Sequence, residues 1–95
     1  MKVRELLEIL DETIAAVRIA IISNQQRAFE SPYTSYEFTQ RAIELQEDLD
    51  DLLKARDLLA SLDPEDEVEN HFSEEELGKF LKLLEFLRKA DAHIY

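Results

Sequence analysis

Few residues in this chain could do chemistry, and their spacing narrows them further. His71 and His93 are the only imidazoles, and there is no cysteine. Without thiols there is no thiolate zinc site, no disulfide framework and no cysteine nucleophile. Di-iron carboxylate bundles place Glu three residues before His. Here those positions hold Val68 and Ala90. A His-Glu-x-x-His pattern is also absent. Asp91 and His93 are two apart and project from different sides of a helix. The histidines read as a solvated loop residue and a helix-end residue, so no metal and no cofactor is expected.

The acidic run from Asp63 to Glu74 invites comparison with a calcium loop. Asp63, Glu65, Glu67, Glu69 and Glu74 fall at ligand positions 1, 3, 5, 7 and 12. The register fails at Val68, where the loop needs glycine for its sharp turn, and at Pro64. An acidic connection placing negative charge at a helix N-terminus is the better reading. Nucleophilic catalysis fares no better. Ser23, Ser31, Ser35, Ser61 and Ser73 sit at caps or element ends. The single glycine, Gly78, lies inside a predicted helix, so there is no glycine-rich phosphate cradle. No enzymatic activity is expected.

The polar chemistry that does stand out is contact chemistry. Net charge is −11, from 22 acids against 11 bases, which disfavours direct binding to nucleic acid. The charge is uneven: eight acids and no base lie within residues 63–76. Two candidate acidic patches follow, Glu44, Glu47, Asp48 and Asp51, then Glu65, Asp66, Glu67 and Glu69. Carboxylates three and four apart on a helix stand roughly 5–6 Å from one another. Such rows could imitate a phosphate backbone and block a nucleic-acid-binding protein. The stretch around Arg27, Phe29, Tyr33, Tyr36 and Arg41 is instead rich in arginine and aromatics, as partner surfaces and planar-ligand pockets are.

Three helices must position these groups. Helix 1 is expected over residues 2–28, with Val3, Leu7, Leu10, Ile14, Val17, Ile21, Asn24 and Ala28 forming a heptad seam. Its second half is apolar on nearly all sides, which calls for a central helix or a subunit contact. Val17, Arg18, Ile21, Ile22 and Asn24 are the candidate oligomer interface, with Asn24 able to fix register and Arg18 able to meet a carboxylate across it. Pro32 ends the helix. Helix 2, over 35–62, has a candidate capping box in Thr34 and Glu37 and a candidate hydrophobic staple in Tyr33 and Phe38. Asp63-Pro64 opens a turn. Helix 3, over 74–93, repeats the signature with Ser73 and Glu76 as the box and Phe72 and Leu77 as the staple.

Two helices of about 27 residues span about 40 Å each, and the short break at Pro32 folds them into an antiparallel hairpin. The expectation is one all-α domain over 1–95, a three-helix bundle completed by oligomerisation. No apolar stretch is long and uninterrupted enough for a bilayer. The N-terminus lacks a signal-peptide pattern, so a cytoplasmic setting without membrane contact is expected. The functional expectation is a self-associating interaction or regulatory protein that binds a partner protein. Two alternatives stand beside it: a nucleic-acid mimic of phage or plasmid type, and a protein binding a nucleotide-like anion at the hairpin tip.

Overall fold

Apolar residues repeat at helical spacing nearly throughout the chain, and the computed structural model, which describes residues 1–90, is built accordingly. Its elements are α1 (Val3–Glu30), α2 (Ser35–Ala60), a one-turn 3-10 helix (Val68–Asn70) and α3 (Glu74–Arg88). Among the described residues the only strand-like pairing is an isolated bridge between Lys2 and Glu67. The arrangement is the all-α hairpin plus shorter third helix that the periodicity calls for. The expected reach of helix 3 to residue 93 falls partly outside the described residues. Within them, α3 stops at Arg88.

α1 is the common support. Both α2 and α3 pack on it, and they barely touch each other. Because α1 has two neighbours, its buried face is wider than one heptad seam. Val3, Leu10, Ile14, Val17, Ile21 and Asn24 are buried as the seam requires, but so are Leu6, Thr13 and Ala20. Leu7 and Ala28 are only half-buried. Thr13 and Asn24 need no partner from outside. The Thr13 hydroxyl donates to the Ile9 carbonyl at 2.8 Å, and the Asn24 amide donates to the Ala20 carbonyl at 2.7 Å. α2 answers with Ala42, Leu45, Leu49, Leu52 and Leu59. The heptad position between the last two holds Arg56, whose side chain reaches Asp11 of α1 at 2.7 Å.

The two capping signatures part company. At α3, Glu76 N–H donates to Ser73 Oγ at 3.1 Å and Ser73 N–H donates to Glu76 Oε1 at 3.4 Å, so the box is made. Phe72 and Leu77 both pack on the core, as a staple should. At α2 neither expectation is met. Thr34 caps no backbone N–H, and its hydroxyl donates to Ser31 Oγ at 2.8 Å. Tyr33 is 98% exposed, so it staples nothing. The difference is support: the Ser73 turn sits on the core through the buried Val68, whereas Pro32 and Tyr33 are exposed.

Coverage of α1 is unequal. α3 starts beside the α1 N-terminus and reaches Glu12 of α1 through Arg88, at 3.7 Å. Its 15 residues span about 22 Å against about 42 Å for the 28 of α1. Among the described residues, the half of the hairpin nearest the tip therefore contains two helices and no third. Replacing Ser73 with Ala should cost about 1 kcal/mol in chemical denaturation. Thr34→Ala should stay within about 0.5 kcal/mol, because no cap is lost.

Candidate functional sites

Three places on this scaffold gather the candidate residues. The first is the acidic connection, and it is a clamp. The first N–H groups of a helix lack intrahelical partners. Here Val3 N–H donates to the Asp66 carbonyl at 2.9 Å and Arg4 N–H to the Pro64 carbonyl at 3.0 Å. In return, Val68 N–H donates to the Met1 carbonyl at 2.9 Å, and the Val68 side chain is fully buried. The acidic side chains spread around this joint rather than converging. Glu65 meets Lys2 at 2.8 Å and Arg4 at 3.3 Å. Glu67 and Glu69 meet the Met1 amine at 3.0 and 3.1 Å. Asp66 faces the His71 ring at 3.2 Å, and Asp63 accepts from Glu65 N–H at 2.9 Å. Of the calcium-loop residues, Asp63 and Glu65 thus meet separate donors, while Glu67 and Glu69 share the Met1 amine.

The clamp has a pH window. The hydrogen bond from Lys2, then the charges of Lys2 and Arg4, hold the Glu65 carboxyl below its ordinary value. The hydrogen bond from its own backbone, then that from the Met1 amine, lowers Glu69. Bonds to Glu67 and Glu69 raise the amine. A lowered carboxyl stabilises the fold above its unfolded pKa, and the gain is lost as pH falls through the folded value. A raised amine stabilises below its unfolded pKa, and that gain is lost as pH rises through the folded value. The joint is tightest between those limits.

The second place is the upper part of α2. Glu44, Glu47, Asp48 and Asp51 share one side of the helix by spacing. Asp48 is half-buried. Burial pushes its carboxyl up, Arg41 pulls it down, and Asp51, Glu44 and Glu47 push it up again. Arg41 lies 3.7 Å from Glu44.

The third place is the hairpin tip. Phe29, Tyr33 and Tyr36 are 93%, 98% and 79% exposed. Ile19, Ile22 and Ile43 are each about half exposed. Ile22, Gln25, Gln26, Phe29 and Glu30 line one shallow depression, and Gln25, Ala28, Thr39, Ala42, Ile43 and Gln46 line its neighbour. Neither Arg27 nor Arg41 lines either hollow. The structure thus gathers the tip's apolar side chains but turns Arg41 toward the acids of α2. The candidate oligomer surface also needs correction. Val17, Ile21 and Asn24 are buried inside the chain's own core, since α1 must close against its neighbours. Arg18 and Ile22 remain at the surface.

Sequence reasoning missed a fourth feature, an apolar groove between α2 and α3. Leu6, Ala55, Leu58, Leu59, Phe72, Leu77 and Phe80 line it, with Glu76 as its one charged wall residue. It exists because α2 and α3 rest on α1 and barely touch each other. The signal was present in Leu58, an apolar residue just outside the α2 stripe.

Asp48→Asn should raise the melting temperature at neutral pH, because the fold favours the uncharged form of this carboxyl. Acidification should selectively lower the exchange protection of the Val3, Arg4 and Val68 amides relative to their intrinsic rates, and Glu65→Gln should blunt that acid sensitivity. Set against protein-family models, curated proteins and solved structures, the chain matches none of them.

Proposed function

We propose that this chain is a small helical interaction protein that self-associates through its hairpin tip and binds a partner protein. The observation that carries the reading is the bare upper half of the hairpin. Among the described residues this two-helix segment has no third element to cover its exposed apolar side chains, and contiguous exposed apolar surface marks contact sites. Phe29, Tyr33 and Tyr36 represent roughly 450–750 Å². With the three half-exposed isoleucines, the patch approaches the roughly 800 Å² per partner of a standard interface.

A second copy suits this surface. Residues 15–43 contain three arginines and two glutamates, so the tip is almost neutral in a chain of charge −11. Two tips can meet with little repulsion while the acidic halves point away. Two antiparallel hairpins set face to face make a four-helix arrangement, which buries both outward faces. Recognition of a partner and control by that contact would be the biological output. Imitation of nucleic acid has less support, because Glu65, Glu67 and Glu69 are engaged by the clamp.

Light scattering on a sizing column should give twice the chain mass at tens of micromolar. Phe29→Glu should return the protein to the monomer with unchanged helical circular dichroism, since Phe29 supports nothing within the chain. A wild-type protein that stays monomeric at that concentration would remove the self-association claim.

A further inference from the structure

The groove between α2 and α3 is independent of the tip. It measures about 220 Å³, below the roughly 300–1,000 Å³ typical of small-molecule sites. It is open along the helices, and the side chains around its mouth are not all covered. Leu58 on α2 and Leu83 on α3 are 56% and 44% exposed. On α3, Phe80 and Leu83 follow one another at helical spacing, continuing the apolar wall beyond the groove itself. This shape suits the apolar side chains of a helix laid lengthwise, the mode in which anchors recur every three or four residues.

The charge around the groove selects the occupant. On α2 the positions 44, 48, 51, 55 and 58 advance by threes and fours, so they lie along one side of the helix. Reading along that side, apolar Leu58 and Ala55 give way to Asp51, Asp48 and Glu44, with Glu47 beside them. The apolar stretch is thus followed along the helix by a row of four carboxylates against one arginine, Arg41, which lies 3.7 Å from Glu44 and whose charge also reaches Asp48. On the α3 side Glu76 adds a fifth acid, and Lys79 is taken by Glu75 at 3.1 Å. A second copy of this acidic chain would meet like charge here. A cationic segment would not.

We propose that the groove between α2 and α3 receives an amphipathic helix of a partner protein bearing Lys or Arg, its apolar face over Leu58 and Phe80 and its cations against Glu44, Glu47, Asp48 and Asp51. The inference gives a chemical class to the partner in the reading above, and it stands whether or not the tip self-associates.

The test is fluorescence anisotropy on the full chain with a labelled leucine–lysine peptide of about five helical turns. Two control peptides accompany it: a scrambled one of the same composition without an apolar face, and a leucine–glutamate one. The amphipathic basic peptide should bind saturably. The scrambled peptide should bind at least about tenfold more weakly, and the acidic one should not bind. Leu58→Gln should weaken binding about tenfold, and Asp48→Asn with Asp51→Asn should weaken it and flatten its salt dependence. Phe29→Glu, which addresses the tip, should leave binding unchanged. Equal binding of the scrambled peptide, or no effect of Leu58→Gln in a protein with normal circular dichroism, would overturn the proposal. So would a change of oligomeric state on Leu58→Gln, because the groove would then belong to a second copy.

Discussion

Everything in this molecule is packed onto α1. α2 and α3 barely meet, so neither could keep its apolar face from water without that central helix. The constraint explains why the buried face of α1 is wide. It includes Leu6, Thr13 and Ala20 as well as the seam through Val3, Leu10 and Val17. It also explains why polar side chains are tolerated there. Thr13 and Asn24 satisfy their donors on carbonyls of their own helix, and Arg56 reaches out of the α2 seam to Asp11. Among the described residues no buried side-chain polar atom lacks a partner.

The connection from α2 to α3 serves the same support. Its carbonyls take the first N–H groups of α1, Val68 anchors it in the core, and its acids meet the cations at the start of the chain. A charge run that reads as a solvated acidic loop is thus the end-piece that closes one end of the bundle. At the other end no equivalent is found among the described residues. Among the described residues the molecule is accordingly lopsided: three helices pack together below, and two continue to a tip whose residues 15–43 are nearly neutral. That asymmetry separates the surface suited to self-association from the surface suited to a cationic partner.

Much of the fold was legible in the sequence. Local signals sufficed where local structure rests on the core. Ser73, Glu76, Phe72 and Leu77 announce the start of α3, and the structure makes every contact they imply. The same pattern at Tyr33, Thr34, Glu37 and Phe38 misleads, because a staple needs something beneath it and the tip has nothing. Burial of Thr13 and Ala20 was not legible, since neither is strongly apolar and only the presence of two neighbours makes them interior. The clamp was illegible for another reason: it joins residues 1–4 to 64–69, and no local periodicity records a contact of that range. The groove is also a product of assembly, arising from two helices that share a support and barely touch each other.

Amide hydrogen exchange along α1, followed at low and high protein concentration, tests this account most directly. In dilute solution the amides of residues 3–17, covered by both neighbours, should exchange far more slowly than those of 18–30. At high concentration the second group should slow as a second copy covers the tip, while the first stays as it was. Uniform protection along α1 at both concentrations would contradict the claim that one half of this helix is closed by its own chain and the other half awaits a partner.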